Sequence, residues 1–224
     1  MKLRLASLTL ISFFSVFFFS CTKGIHDNTS AFYDDGRKKP LVAFVPVVDN
    51  SNAKVGWDLS DEFTGHLMQK LGNNSQFRLS TLDEMSSLIT GLSEKQDPFS
   101  PNFQWVKQTF SKYEFVVFSE LVEHDVQSKP LRGNFLDYIT PSSEIVLTLR
   151  LRIFDLRGAI PKVILQELVH NKHTISNPGD LEAKGKDYWK KVTFQITPLG
   201  IAHSQLIKTA VTRIEDYIKI SQSH

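Results

Sequence analysis

The sequence predicts an α/β (α+β) sandwich, a mixed β-sheet packed by helices in the order β-α-β-α-α-β-β-β-α. Three observations carry that reading. Leu41–Val48 (LVAFVPVV) is short, β-branched and nearly all apolar, the pattern of a strand buried on both faces. Between Leu59 and Phe110 the apolar residues recur every three or four positions, the period of helices that bury one stripe. Beyond Glu114 the period drops to two, the period of strands.

The elements follow in order. Asp49-Asn50-Ser51-Asn52 is turn chemistry after the first strand. Leu59, Phe63, Leu67 and Leu71 make the stripe of a helix that Asp58 or Ser60 can cap and Gly72 can end. Gln76–Ser80 is a short strand. Thr81 with Glu84 forms a capping-box pattern ahead of Leu82, Met85, Leu88, Ile89 and Leu92. Ser100-Pro101 opens a third helix with Phe103, Val106 and Phe110 on one face. Glu114–Val126 is the next strand. In Glu144–Leu156, Ile145, Leu147, Leu149, Leu151 and Ile153 form a buried face. Val146, Thr148, Arg150, Arg152 and Phe154 form a wetter one. Asp155–Pro161 turns the chain and Lys162–Ile175 pairs back. Thr197-Pro198 starts a last helix along Leu199, Ala202, Leu206, Ala210, Ile214 and Tyr217.

Ahead of this domain, residues 1–20 read as a signal peptide. Lys2 and Arg4 precede an uncharged run from Leu5 to Phe19, shorter than the roughly 20 residues a membrane-spanning helix needs. An uncleaved anchor helix is the alternative. Phe18-Phe19-Ser20-Cys21 resembles a bacterial lipobox, with Phe at the two positions where Leu and a small residue are usual. Cys21 is the single cysteine of 224 residues, and its place directly after the apolar run points to acylation. The resemblance implies a lipid anchor on Cys21. Two or three acyl chains make such attachment lasting, because each buried CH₂ is worth about 0.8 kcal/mol. Thr22 stands where an Asp would signal inner-membrane retention, which implies the outer membrane in a Gram-negative host, with the periplasmic face favoured over the surface. Residues 21–40 read as a lipidated tether, polar and aperiodic, and 41–220 as a single domain.

Composition narrows the functions. Lysine plus arginine number 26 and aspartate plus glutamate 24. Removal of residues 1–20 takes away Lys2 and Arg4 and leaves 24 of each, a neutral mature chain. Neutrality argues against nucleic-acid binding, which counterion release from phosphates drives. No cofactor or metal motif is present: there is no GxGxxG, P-loop, HExxH or G-x-S-x-G.

The element order, with three stretches of text, resembles the amino-terminal domain of TolB and its relatives, the curli secretion lipoprotein CsgG and the penicillin-binding-protein activator LpoB. LVAFVPVVDNS is similar to that group's opening strand. The helix around Phe63-Thr64-Gly65-His66-Leu67, then Phe77–Ser80 and Leu82–Met85, take the next places. Lys112–Ser119 is similar to a later strand, with Ser119 where Gly is common. Arg152–Gly158 is similar to the strand that ends in Asp and turns on Gly. The resemblance spans about 41–175. It implies a non-enzymatic envelope protein that binds a protein partner or assembles, and an oligomer is compatible with it.

No residues suggest themselves for catalysis. His170 and His173 point to opposite faces of a strand. His66 sits beside an apolar stripe and reads as a packed or surface residue. Arg150 and Arg152 share a face that can bind an anion, or else is solvated or paired with carboxylates on a neighbouring strand. Partner contacts have two candidate segments, the long connection 127–143 with Leu131, Phe135, Tyr138 and Ile139, and the stretch 176–196 with Tyr188 and Trp189. For both, folding back onto the domain's own core is an equal alternative. The expected role is therefore a lipid-tethered adaptor or scaffold that docks an envelope protein, and not an enzyme. A secretion-pore subunit of the CsgG type is the alternative. Ile145–Ile153 could supply a lipid-facing strand, whereas Gln166, Glu167, His170, Asn171 and Lys172 interrupt its neighbour.

Overall fold

The structure is a computed structural model. It describes residues 31–74, 76–92, 96–128, 142–176, 181–182 and 184–223. Phe32–His224 form one compact unit. Cys21, Leu131, Phe135, Tyr138 and Ile139 lie outside the described residues.

Strands β1 (Leu41–Phe44) and β2 (Val48–Asp49) both run parallel to β4 (Phe115–Ser128), against its first and middle thirds. They are one predicted strand, interrupted at Pro46, which has no N–H to give to a ladder. At that break Val47 turns its N–H to the Thr64 hydroxyl (2.8 Å), tying the strand to helix α1 (Leu59–Asn73). Asp58 caps α1 by accepting from the Asp61 N–H, and the helix runs through Gly72 to Asn73. Strand β3 (Arg78–Leu79) pairs parallel with β1. Helix α2 (Leu82–Ile89) carries the expected capping box of Thr81 and Glu84. Helix α3 (Gln104–Thr109) begins three residues later than Pro101 suggests, with Phe103 at its N-cap and no side-chain cap bond.

Strands β4, β5 (Ser142–Asp155) and β6 (Lys162–Ser176) form an antiparallel meander. The sheet order is β3-β1-β4-β5-β6. A 3₁₀ turn (Tyr188–Lys190), a short helix α4 (Val192–Gln195) and the long helix α5 (Pro198–Gln222) complete the chain. Thr197 caps α5 through the Gly200 N–H, with Pro198 in its first turn.

One sheet face carries the larger core. Val42, Phe44, Phe115, Val117 and the Ile145-to-Ile153 row pack against α1, α4 and α5. The Ile145-to-Ile153 face of β5 is therefore covered by this chain's own helices. The opposite face holds a smaller core, with Ala43, Val45, Phe118 and Phe154 under Met85, Trp105, Val106 and Phe110.

That second layer corrects the wetter face expected of β5. Phe154 packs into that layer, Arg152, Thr148 and Val146 on the same face are buried as well, and of the five residues Arg150 alone is half-open. Arg152 Nη1 donates to the carbonyls of Pro98 (2.8 Å) and Ser100 (2.7 Å), and its guanidinium lies over Phe103 and Phe154. Arg150 pairs with Glu120 on the adjacent strand at 2.9 Å. Both arginines are thus taken up internally. No helix among the described residues is long and apolar enough to cross a membrane.

Candidate functional site

The most unusual chemistry lies where α1, α5 and β4 meet, in a chain of polar side chains inside the larger core. Trp57 Nε1–H donates to Glu62 Oε2 at 2.6 Å. Glu62 Oε1 accepts from His203 Nδ1–H at 2.7 Å. On its other side His203 Nε2 meets His124 Nε2 at 3.0 Å, so one of these two nitrogens carries the shared proton. Glu62 is fully buried, and His203 and His124 are nearly so. Aromatic rings enclose the chain. Phe63 and Phe194 flank the His203 ring at 5.1 and 5.8 Å, and Trp57 lies 5.5 Å from Phe194.

Local sequence explains each placement. Glu62 sits three residues after Leu59 and one before Phe63, on the inner side of α1. His203 is four residues after Leu199 and three before Leu206, inside the apolar stripe of α5. His124 follows an irregularity in β4 between Leu121 and Glu123, which shifts the register against β5.

Electrostatics follow from burial. Burial alone would raise the Glu62 carboxyl, yet His203 and the Trp57 N–H hold it below the usual carboxylate value. Burial, with the neighbouring His203 charge, pulls His124 down to about 3 and keeps it neutral. Burial also lowers His66. The result is a carboxylate whose charge His203 faces, with a neutral second imidazole behind it.

A cavity of about 280 Å³ opens beside this chain, lined by Glu62, His66, Gln69, Phe194, His203 and Ile207 among others. Both Glu62 oxygens and both His203 nitrogens have protein partners. Among the described residues no group of three or more His, Cys, Asp or Glu is placed to hold a metal. What the arrangement does is clamp α1 to α5 and β4.

Of the candidate partner residues, Tyr188 and Trp189 are described, and both fold back onto the larger core, half-buried. Tyr188 packs at 5.6 Å from Trp57 and 5.3 Å from Phe194. Trp189 meets the His66 ring edge-on at 5.4 Å and comes to within 3.4 Å of where a Cβ on Gly65 would lie. His170 lies against Thr148 at 2.9 Å. The Glu62 chain escapes sequence reading because its members are scattered at 57, 62, 124 and 203. The available signal was a charged residue and a histidine set inside two apolar stripes.

Known proteins resemble this fold. The hypothetical protein CT253 from Chlamydia trachomatis is 24% identical over 80% of this chain and 98% of its own, with a TM-score of 0.58. Lipoprotein GNA1162 from Neisseria meningitidis is 11% identical over 79% and 99%, with a TM-score of 0.42. The C-terminal domain of LpoB from Escherichia coli is 16% identical over 59% and 82%, with a TM-score of 0.36. The likeness to CT253 is one of fold. No curated protein matches. A family description covers residues 28–222. The chain belongs to that family, the family of unknown function DUF7499.

Proposed function

We propose that this protein is a lipid-anchored envelope lipoprotein whose domain acts as a non-catalytic adaptor or scaffold for another envelope protein. The observation that carries the proposal is Ser20-Cys21 closing an uncharged run behind Lys2 and Arg4, with Cys21 the single cysteine of the sequence. The Glu62–His203–His124 chain supports the non-catalytic part, since its reactive atoms are spent on one another. Thr22 after the cysteine favours the outer membrane, and the periplasmic face is the proposed side. Leu131, Phe135 and Tyr138 are the proposed partner contacts, in a connection long enough to serve recognition.

The test is the intact mass of protein purified from membranes, beside a Cys21→Ala variant. A chain starting at Cys21 with two or three acyl groups, absent from the variant, is the expected result. An unmodified Cys21 or an intact amino terminus overturns the anchor. Crosslinking in membranes then tests the partner: Phe135→Ala with Tyr138→Ala should reduce the crosslinked species and leave the melting temperature unchanged.

A further inference from the structure

We infer that the end of the domain where β1 begins is a lipid-docking face, with Ile160 and Ile220 as its inserting side chains. The inference takes its orientation from the proposed anchor at Cys21, and the docking chemistry stands on the domain itself.

The register fixes which features share that end. Val42 pairs with Phe115, Phe115 with Asp155, and Asp155 with Lys162. This row crosses four strands, about 14 Å at ordinary strand spacing. The chain therefore enters the sheet at the same end as the β5–β6 turn. The carboxyl end of α5 is held there too. Arg157 Nη2 donates to the Ser221 carbonyl (2.6 Å) and to Asp155 Oδ2 (2.6 Å), and the Ser221 hydroxyl donates to Asp155 Oδ2 (2.8 Å).

This latch forms one wall of an open groove of about 740 Å³. Ile160 at the turn is 67% exposed and Ile220 in the last turn of α5 is 54% exposed. Val163, Ile164 and Tyr217 line the floor between them, and Lys162 stands at the rim. Arg157 pairs with Asp155, which leaves Lys162 as the remaining charge among the residues that line the groove. Exposed isoleucines beside a tyrosine, a lysine and an arginine are the composition that settles into a headgroup layer.

The length of chain ahead of the domain selects a bilayer as the occupant. Ten residues separate Cys21 from Phe32. Fully extended they reach roughly 35–40 Å, and as a flexible coil about 18 Å. Phe32, itself exposed, sits in a small hairpin with Lys38, and the neighbouring Tyr33 hydroxyl bonds the Gln76 carbonyl beside β3, at this same end. With Cys21 acylated, a tether of that length lets the groove reach the lipid, and the apolar pair meets it at high effective concentration.

Both apolar clusters of the described residues lie between Leu41 and Ile218, inside the compact unit Phe32–His224, which has the hydrophobic core of a domain able to fold by itself. That segment has no cysteine. Ile160→Cys and, as the control ten residues along β6, Lys172→Cys each accept one environment-sensitive fluorophore. The probe surface is vesicles of phosphatidylethanolamine and phosphatidylglycerol. The expected result is a blue shift and at least a twofold rise in emission at 160 with no change at 172, and loss of vesicle partition by about tenfold in Ile160→Ser with Ile220→Ser. No response at 160, an equal response at both sites, or a response to protein concentration without vesicles would overturn the inference, the last in favour of contact between copies. None of these outcomes depends on acylation, so failure here is distinct from failure of the anchor.

Discussion

His203 Nδ1 lies 2.7 Å from Glu62 Oε1 with both side chains buried, and this contact joins α5 to α1 across 141 residues of sequence. Removing one partner strands the other. Glu62→Ala leaves the Trp57 indole N–H and the His203 Nδ1–H without an acceptor. It should cost about 3–5 kcal/mol in urea unfolding. A loss below about 1 kcal/mol would show that the core relaxes around the contact.

The same chain sets a pH dependence, and its sign is fixed. His124 is neutral in the folded state down to about pH 3, whereas an unfolded histidine binds a proton near pH 6.5. Below that value the unfolded state holds more protons, so stability falls as pH falls. A single group gives a slope of at most about 1.4 kcal/mol per pH unit. Glu62, lowered in the folded state, adds a loss of the same sign below the ordinary carboxylate value. The urea midpoint should therefore decline steadily from pH 6.5 to 4, and His124→Gln should flatten that decline. A midpoint independent of pH in the wild type would contradict the neutral His124.

The boundary between α4 and α5 depends on a close backbone approach. A Cβ on Gly200 would lie 2.2 Å from the Phe194 carbonyl oxygen and 2.9 Å from its carbon. Backbone cannot swing aside as a side chain can, so Gly200→Ala should lose about 1–3 kcal/mol. Differential scanning calorimetry reads this as a lower melting temperature, and an unchanged value would mean that α4 moves freely.

Tyr188 packs between Trp57 and Phe194, so its role is testable against recognition. Tyr188→Ala should cost about 2 kcal/mol, less than full burial because the ring is half-open. A variant of full stability with weaker partner crosslinking would return Tyr188 to the surface role its sequence context also allows.

Thr81 closes the capping box of α2, an exposed helix. Thr81→Ala should remove about 1 kcal/mol. Hydrogen exchange should show the loss in the amides of the first turn of α2, with the sheet unaffected.

Local signals made much of this fold legible. Leu59, Phe63, Leu67 and Leu71, the Asp58 cap, the Thr81–Glu84 box and the Thr197-Pro198 start all fall where periodicity and capping place them, because each depends on neighbours within one or two turns. Phe154 and Arg152 were misplaced because alternation within β5 reports one strand alone. Whether its second face is wet depends on α2 and α3, which arrive from forty or more residues earlier. The Glu62–His203–His124 chain was invisible for the same reason: no spacing rule links positions 62, 124 and 203.

The strand pairing also orders events in time. β1 pairs with the two-residue β3 and with β4, and β4 follows it by some seventy residues. β4, β5 and β6 need only neighbouring segments to form their meander. Local pairings close faster than distant ones. A chain emerging amino terminus first thus presents β1, its most apolar strand, long before a lasting edge exists to receive it. The meander is the template on which the earlier half completes itself, and until it emerges the apolar strand Leu41–Phe44 lacks its β4 partner.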